Sequence, residues 1–302
     1  MIRELGRLRG ELRKNEPMSR HTSWRAGGPA RRYYRPADLE DLALFLSLLD
    51  EAEPVYWTGL GSNLLVRDGG WHGTVIATHG ALGRLEHRGG GRVHAGAGVA
   101  CAKLARRCGR WGLGGADFFA GIPGTVGGAL AMNAGAFGGE TWDCVEAVEV
   151  IDRHGSRQRR AAGEYRTGYR QVRGPQPDSL EREWFVAAEL RFDRRADGDA
   201  GTRIRDLLAR RSASQPTGLA SCGSVFRNPP GEHAARLIDA CGLKGRRIGA
   251  ACVSEKHANF IINLGEARAA EIEALILDVQ AEVARRFGVR LEPEVRIVGE
   301  AE

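Results

Sequence analysis

Residues 121–140 have the sequence GIPGTVGGALAMNAGAFGGE, which is too long and too rich in glycine for an ordinary hairpin turn. Glycine permits a positive φ and lets the backbone approach a ligand closely. Successive backbone N–H groups in such turns form a concave, partly positive nest that suits a phosphate group. The stretch therefore indicates a binding loop, and the alternative is a set of tight turns between strands.

A second glycine loop has the sequence GLGSN and occupies residues 59–63. Ser62 and Asn63 add side-chain donors to this loop, and Thr125 adds one to the first. A pyrophosphate held between two such loops implies a dinucleotide cofactor, and the loops alone do not say which one. The GxGxxG fingerprint is incomplete because Leu64 stands where its third glycine belongs, which disfavours a Rossmann domain.

The apolar spacing along the chain predicts an alternation of helices, strands and hairpins. The predicted helices lie at 36–52, 99–110, 202–213, 232–241 and 267–287. The predicted strands lie at 55–58, 64–66, 74–77, 92–98, 184–193, 259–265 and about 289–298, with a hairpin turn at 153–155. Residues 112–139 show no regular pattern, and the polar, turn-rich residues 194–201 are the predicted lobe boundary. Because the order is not a regular βαβ series, the predicted fold class is α+β with mixed sheets.

The composition is that of an ordinary soluble globular protein, with 42% hydrophobic and 27% charged residues over 302 positions. The N-terminal segment MIRELGRLRGELRKN is charged throughout, so a signal peptide is not expected, and no stretch is apolar enough to span a membrane. None of the six cysteines forms a CxxC pair or has zinc-ligand spacing. We therefore expect a cytoplasmic protein with reduced thiols and no metal site.

The net charge of +6 is carried almost entirely by arginine. Those arginines are spread along the whole chain and do not form a basic stripe with interleaved aromatic residues, so nucleic-acid binding is disfavoured. A smaller anionic substrate such as a nucleotide diphosphate fits better. No sequence feature marks a partner-binding surface, and a monomer is expected.

Several segments resemble those of the UDP-N-acetylenolpyruvoylglucosamine reductase family, and they occur in the same order as in that family. They are TSWRAGGPA at 22–30, GLGSNLLV at 59–66, GIPGTVGGALAMNAGAFGGE at 121–140, GYR at 168–170, CGSVFRNPPG at 222–231, LKGRRIGAACVSEKHANFIINLG at 243–265 and LEPEVRIVG at 291–299. Together they extend from about residue 20 to the end of the chain, and several are long and specific.

The resemblance implies an FAD-binding domain of the vanillyl-alcohol-oxidase (PCMH) type over residues 1–198, in two subdomains of about 1–80 and 81–198. It also implies an α+β substrate-binding lobe over 199–302, whose last strand, 289–302, returns to the active site. The compact second lobe resembles the shorter branch of the family, which lacks a substrate-covering insertion.

The chemistry implied by the resemblance is reduction of the enolpyruvyl group of UDP-N-acetylglucosamine enolpyruvate, a step in peptidoglycan precursor synthesis. NADPH is the implied hydride donor and FAD the implied cofactor. The segments at 59–63 and 121–135 contain neither His nor Cys, the usual points of covalent attachment, so the FAD is expected to be noncovalent.

Three residues match the family's catalytic positions. Ser224, in CGSVFRNP, matches the proton donor, and Glu294, in PEVR, matches the active-site glutamate. Arg170, which ends GYR, matches the active-site arginine, whose planar fork suits a carboxylate. The family often has a serine where Val172 stands, and Arg166, in EYR, offers a second register; we favour Arg170.

Binding residues carry over by the same matching, with two departures. The predicted cofactor contacts are Arg25, Gly27, Gly59, Gly61, Ser62, Asn63, Leu64, Gly121, Ile122, Pro123, Gly124, Thr125, Gly127, Gly128, Asn133, Gly135 and Ala136. The predicted substrate contacts are Arg227, Asn228, Lys244 and His257. His257 stands where other members carry glutamine, and Phe137 replaces a common tyrosine, so a hydroxyl contact is lost there.

The sequence leaves two alternative functions open. Another FAD-dependent oxidoreductase of the same fold, acting on a different alcohol or sugar, would share the two glycine loops but need not have the three catalytic residues. A nucleotide-binding regulatory protein would retain the fold without turnover, and the intact catalytic set argues against it.

Overall fold

The computed structural model describes residues 6–194 and 200–302. The predicted lobe boundary at 194–201 includes residues 195–199, which lie outside the described residues.

Helices and short strands alternate along the described chain. The helices are α1 (Leu39–Ser47), α2 (Cys101–Arg110), α3 (Val126–Met132), α4 (Ser179–Arg182), α5 (Ala200–Ser214), α6 (Ala234–Ala240) and α7 (Ala269–Phe287). The strands are β1 (Glu11–Pro17), β2 (Pro29–Arg35), β3 (Val55–Thr58), β4 (Leu64–Val66), β5 (Trp71–Ala77), β6 (Leu85–His87), β7 (Arg92–Gly96), β8 (Leu113–Gly114), β9 (Gly135–Ala136), β10 (Gly139–Glu140), β11 (Val145–Asp152), β12 (Arg157–Ala161), β13 (Arg166–Gly168), β14 (Gln171–Arg173), β15 (Glu183–Arg191), β16 (Asp193–Arg194), β17 (Arg247–Ile248), β18 (Ala251–Val253), β19 (Ile261–Asn263) and β20 (Arg296–Val298).

The chain forms two compact units. The first comprises Met1–Arg13, Arg32–Leu60 and Gly73–Ala209. The second comprises Lys14–Arg31, Gly61–His72 and Arg210–Glu302.

The first unit is built on a five-stranded sheet with the order β12-β11-β15-β7-β6, and its neighbouring strands are antiparallel. Strands β11 and β15 bury most of their apolar side chains, and Leu104 and Cys108 of α2 belong to the same apolar cluster as Val148 and Leu190. The unit also holds parts of all four strands of a second sheet, β1-β2-β5-β3, in which β3 and β5 are parallel.

The second unit combines the antiparallel sheet β17-β18-β19 with α6 and α7. Helix α7 has a regularly spaced apolar face and ends at Gly288, whose φ of 67° is the left-handed conformation that glycine favours at a helix end. Trp24 is buried in the same core, where its Nε1 donates to the Ile261 carbonyl at 2.7 Å. Nδ2 of Asn263 donates to the Trp24 carbonyl at 2.8 Å, so the N-terminal motif is fixed to this core.

The predicted α+β class is confirmed, and so are the hairpin β11–β12 and the long C-terminal helix. The absence of regular structure predicted for 112–139 is wrong, because α3 forms at 126–132 with Val126, Ala129 and Leu130 buried on one face. The helix predicted at 36–52 is shorter, since the Asp38 carboxylate caps it by accepting from the Asp41 N–H at 2.9 Å. Within the described residues, no helix is long and apolar enough to cross a membrane.

Candidate active site

The first glycine loop meets the second in the first unit. A Cβ added to Gly59 would lie 2.3 Å from Oγ1 of Thr125, so only glycine permits this approach. Thr125 is 1% exposed, and its Oγ1 has no hydrogen-bond partner among the described residues. A buried hydroxyl left without a partner is costly, so this pair of loops is suited to a polar ligand that reaches the threonine.

Some backbone groups of the first loop already bond within the protein. The Val126 N–H donates to the Val99 carbonyl at 2.8 Å, and the Gly127 N–H donates to the Ala97 carbonyl at 2.9 Å. A Cβ on Gly127 would approach that of Ala97 to 2.9 Å, which gives this glycine a packing role. A ligand contact at these two positions therefore has to use other atoms.

The remaining predicted residues of this loop differ in exposure. Gly121 and Ile122 are buried, Gly124, Gly135 and Ala136 are half-buried, and Pro123 and Gly128 are exposed. A Cβ on Gly121 would lie 2.4 Å from the Phe137 ring, whose residue has a φ of 52° and is itself exposed. The aromatic ring at 137 therefore packs over Gly121.

Arg170 lies beside the same loop. Its guanidinium donates from Nη1 to the Asn133 carbonyl at 3.4 Å and from Nη2 to the Gly135 carbonyl at 3.2 Å. Its own φ is 53°, a conformation that a long side chain seldom adopts and that often marks a functional position. The first unit thus joins one predicted catalytic residue to the predicted cofactor loop.

The alternative arginine has a different environment. Arg166 is exposed at the start of β13, opposite Arg173 of β14. Val172, where the family often has serine, is buried in the apolar core of the first unit. That departure exchanges a hydroxyl for core packing.

The second unit brings the Ser224 and Glu294 segments side by side. The Glu294 N–H donates to the Val225 carbonyl at 2.7 Å, and the Arg227 N–H donates to the Glu292 carbonyl at 2.9 Å. An isolated antiparallel bridge links Phe226 and Pro293 between these bonds. Two of the three predicted catalytic residues therefore lie on adjacent backbone segments although they are far apart in sequence.

Asn63 fixes the glutamate segment from the other side. Its Nδ2 donates to the Glu294 carbonyl at 3.0 Å, and its carbonyl accepts from the Arg296 N–H at 3.0 Å. From there, β4 and β20 pair in parallel, with Leu64 opposite Arg296. The last strand thus pairs with the strand that follows the second glycine loop.

Asn259 supports the serine segment and was missed in the sequence. It is 4% exposed; its Oδ1 accepts from the Phe226 N–H at 2.9 Å, and its Nδ2 donates to the Phe226 carbonyl at 2.8 Å. Its carbonyl also accepts from the Val225 N–H at 2.9 Å. The only signal in the sequence was a lone amide inside the apolar run ANFII.

Cys222 precedes Ser224 by two residues and is buried. Burial raises the pKa of the Cys222 thiol well above its usual value, and the negative charge of Glu294 raises it further. The thiol therefore stays protonated at neutral pH and does not act as a base beside the serine.

The predicted substrate residue Lys244 affects the protonation of His257, the other predicted substrate residue of this segment. Burial lowers the pKa of His257, and the positive charge of Lys244 lowers it further, so the imidazole is neutral at pH 7. Its Nδ1 is buried with no hydrogen-bond partner among the described residues, while Lys244 pairs with Asp239 at 2.8 Å. A neutral ring nitrogen beside a cation suits an oxygen-rich ligand.

Replacing His257 by glutamine is expected to weaken the acid sensitivity of folding. The pKa of His257 is lowered in the folded state, so the unfolded chain binds the proton more readily. The folded protein therefore loses stability as pH falls below the ordinary histidine pKa of about 6.5. We expect the Tm of the wild-type protein to fall more than that of His257→Gln between about pH 7.5 and about pH 5.5. If the Tm of both proteins falls equally over this pH range, His257 does not cause the acid sensitivity.

The other predicted contacts lie in the second unit. Arg227 is half-buried, and its Nε has no partner in the described part of the chain, whereas Oδ1 of the exposed Asn228 accepts from the Ala234 N–H at 3.1 Å.

The predicted cofactor contacts of this unit lie in its N-terminal segments. Arg25 is exposed with a φ of 56°, and a Cβ on Gly27 would lie 2.9 Å from the Val66 carbonyl. A Cβ on Gly61 would lie 1.9 Å from the His21 carbonyl, so this second-loop position requires glycine. Ser62 is half-buried.

One group of metal-ligating side chains occurs in the described ranges, on the main sheet of the first unit. It consists of His94, Glu149 and Glu189, whose ligand atoms lie within 4.8 Å of one another. Glu189 is already paired with Arg88 at 2.7 Å and with Nδ1 of His94 at 2.9 Å. The group is therefore explained as an ion-pair network.

Comparison with known proteins identifies both parts of the chain. Residues 30–160 match the family profile of an FAD-binding domain, and residues 215–298 match that of the UDP-N-acetylenolpyruvoylglucosamine reductase C-terminal domain. The UDP-N-acetylenolpyruvoylglucosamine reductase of Alkalilimnicola ehrlichii is 63% identical over 296 residues, which cover 97% of this chain and 96% of that protein. The enzyme of the same name from Methylococcus capsulatus is 59% identical over 295 residues, with 97% and 95% covered.

A solved structure of an enzyme from the same family is similar to this chain. The crystal structure of UDP-N-acetylenolpyruvylglucosamine reductase from Thermus caldophilus matches with a TM-score of 0.79 at 33% identity, covering 96% of this chain and 99% of that one. The predicted fold class, an FAD-binding domain of the vanillyl-alcohol-oxidase type with a C-terminal α+β lobe, is confirmed. FAD as the cofactor is likewise confirmed, and the Gly59–Thr125 approach with its unpartnered hydroxyl fits such a group. The chain belongs to the UDP-N-acetylenolpyruvoylglucosamine reductase family.

Proposed function

We propose that the protein uses NADPH to reduce the enolpyruvyl group of UDP-N-acetylglucosamine enolpyruvate, giving UDP-N-acetylmuramate, with FAD bound noncovalently. The observation that carries the proposal is the pairing of the Ser224 and Glu294 segments through the Val225 carbonyl in the second unit. Family membership and the FAD-binding profile support the same reaction class. We place the reaction in the cytoplasm, on a monomer, as a step of peptidoglycan precursor synthesis.

FAD, when bound, supplies the hydride chemistry by taking a hydride from NADPH and delivering it to the methylene carbon of the enolpyruvyl group. Addition of hydride there leaves negative charge on the carbon next to the carboxylate, and that carbon needs a proton. The residues of the chain have to supply the proton and hold the developing enolate.

In this proposal Ser224 delivers the proton. Its hydroxyl is a weak acid, but it can donate to a strongly basic enolate carbon held within hydrogen-bond reach. Asn259 fixes Val225 and Phe226, the two residues that follow the serine, and this limits the movement of the Ser224 side chain. The neighbouring Cys222 thiol, kept protonated by burial, does not compete as a base.

Arg170 and Glu294 stabilise the enolate. The guanidinium fork of Arg170 can bond both carboxylate oxygens of the substrate as they gain negative charge. Glu294 orients the enol, and Nδ2 of Asn63 donates to the Glu294 carbonyl. Lys244, His257, Arg227 and Asn228 bind the nucleotide sugar.

Product analysis under anaerobic conditions tests the proposal. The holoenzyme is incubated with NADPH and the enolpyruvyl UDP-sugar, and NADPH loss is compared with UDP-N-acetylmuramate formed, measured by mass spectrometry. We expect equal amounts. NADPH consumption without this product, or turnover of a simple alcohol with oxygen instead, would assign the protein to a different flavin-dependent oxidation.

Thr125→Val is expected to weaken FAD binding without weakening the fold. The hydroxyl has no partner among the described residues, so valine removes only a bond to the ligand. A lost hydrogen bond of about 0.5–1.5 kcal/mol raises the Kd for FAD by about 2–10-fold, measured by flavin fluorescence.

The matched control for that variant is Thr78→Val, whose Oγ1 donates to the Thr58 carbonyl at 3.1 Å. This control should lower the Tm of the apoprotein and leave the FAD Kd near the wild-type value. An unchanged FAD Kd in Thr125→Val would show that the threonine does not reach the cofactor.

A further inference from the structure

Asn133 has an unusual backbone conformation between the cofactor loop and Arg170. It follows α3 directly with φ 46° and ψ 53°, and it is 2% exposed. Asparagine tolerates this left-handed conformation better than most residues, so conformation alone explains part of its presence. The contacts of its side chain explain more.

The side-chain amide of Asn133 bonds entirely within the protein. Its Nδ2 donates to Oε2 of Glu140 at 2.8 Å and to the Gly168 carbonyl at 3.1 Å, and its Oδ1 accepts from the Trp142 N–H at 3.1 Å. A primary amide has two N–H donors, and both are used here. A cofactor contact would have to break one of these bonds or use the backbone.

These bonds lead to Arg170 by two routes. Gly168 ends β13 and precedes Arg170 by two residues, so the amide fixes the backbone that enters the arginine. The Asn133 carbonyl also accepts from Nη1 of Arg170 at 3.4 Å. Arg170 itself has a φ of 53°, a conformation that needs such surrounding support to persist.

We propose that Asn133 is a positioning residue for Arg170: its amide holds the Gly168–Arg170 backbone, and its carbonyl orients the guanidinium. This inference rests on the proposed function, in which Arg170 holds the substrate carboxylate. It assigns the Asn133 side chain to the geometry of the arginine and not to direct contact with FAD.

The test compares three variants. Asn133→Gly keeps the left-handed backbone and removes the amide. Asn133→Asp keeps the shape but replaces the donor facing Glu140 by a second carboxylate and, when ionised, has no donor for the Gly168 carbonyl. The double variant Asn133→Asp/Glu140→Gln restores a donor–acceptor pair between residues 133 and 140 with the polarity reversed, but still leaves the Gly168 carbonyl without a donor from residue 133. FAD Kd, the rate of flavin reduction by NADPH and the rate of flavin reoxidation by the enolpyruvyl UDP-sugar are measured for each.

We expect Asn133→Gly to slow reoxidation by about 10–100-fold, a loss typical of misplaced catalytic groups, with the FAD Kd and the NADPH step near wild type. Two facing carboxylates raise the pKa of one of them, so Asn133→Asp should regain a proton as pH falls from about 8 to about 6, and the protonated carboxyl has an O–H that can donate to the Gly168 carbonyl. Its reoxidation rate should recover over that range, while that of Asn133→Gly should not. The double variant should stay slow and show no such recovery, because its single carboxylate remains ionised and gives the Gly168 carbonyl no donor.

Hydrogen–deuterium exchange of the peptide covering residues 166–173 provides a readout that does not depend on turnover. Exchange should be faster in Asn133→Gly than in the wild-type apoprotein, and comparably fast in the double variant, which also lacks the donor to the Gly168 carbonyl. Unchanged exchange in Asn133→Gly, a raised FAD Kd as its only defect, or a pH-independent Asn133→Asp would each overturn the proposal. Failure of the wild-type protein to reoxidise with the substrate would instead count against the proposed function, and the exchange result would still decide the role of Asn133.

Discussion

Ser224→Ala will leave flavin reduction by NADPH near the wild-type rate and slow reoxidation by the enolpyruvyl UDP-sugar by about 10²–10⁴-fold, the usual contribution of a positioned general acid. The hydride from NADPH needs no proton from the serine, whereas the enolate formed from the substrate does. Stopped-flow absorbance of the flavin separates these two steps.

The matched control for this prediction is Ser221→Ala, three residues earlier in the same segment. It removes a hydroxyl from the chain without touching the proposed proton donor, so both steps should remain near wild type. Equal slowing of the two steps in Ser224→Ala would show that the serine is not the proton donor.

Arg170→Lys will slow the same reoxidation step by about 10²–10³-fold, as expected when a donor to a developing negative charge is lost. Lysine keeps the charge but cannot make the two parallel bonds of the guanidinium to a carboxylate. It would also lose one of the bonds to the Asn133 and Gly135 carbonyls. The Kd for UDP-N-acetylmuramate, measured by calorimetry, should rise because its carboxylate uses the same fork.

Arg166→Lys is the control for the arginine register. Arg166 is exposed on β13, so its replacement should change the reoxidation rate by less than about 3-fold, as for an ordinary surface position. A larger loss in Arg166→Lys than in Arg170→Lys would move the active-site arginine to residue 166.

Elements with a strong apolar period were predictable from the sequence. Helix α7 has an apolar stripe through Ile272, Leu275, Ile276, Val279 and Val283 and a closing glycine, and it lies where the period placed it. Strands β3 and β4 were predicted at their observed bounds. In these segments local pattern and tertiary burial agree.

Elements with conflicting signals were not predictable. Helix α3 was not predicted because its sequence, VGGALAM, contains two glycines, which have low helix propensity, although Val126, Ala129 and Leu130 have helical spacing. Strands β1 and β2 were missed because their sequences, ELRKNEP and PARRYYR, are highly charged. The last strand is shorter than predicted, because the Glu294 N–H bonds to the Val225 carbonyl and only Arg296–Val298 pair with β4.

Sequence motifs predicted individual site residues but not the contacts between them. Ser224 and Glu294 were chosen from separate motifs, and only the fold reveals that the Val225 carbonyl links their segments. Asn259 was missed, and the side-chain bonds of Asn133 were not predicted, because the bonds that define their surroundings join residues distant in sequence or lie inside a glycine loop. Long-range pairing also places residues 14–31 and 61–72 in the second unit, which no local pattern indicates.

Anaerobic double mixing shows whether the enolpyruvyl UDP-sugar is the hydride acceptor. The wild-type holoenzyme is first reduced with one equivalent of NADPH and then mixed with the enolpyruvyl UDP-sugar while visible flavin absorbance is followed. We expect absorbance to return at least as fast as steady-state turnover. Absorbance that stays low with the sugar and returns only when oxygen is admitted would contradict it.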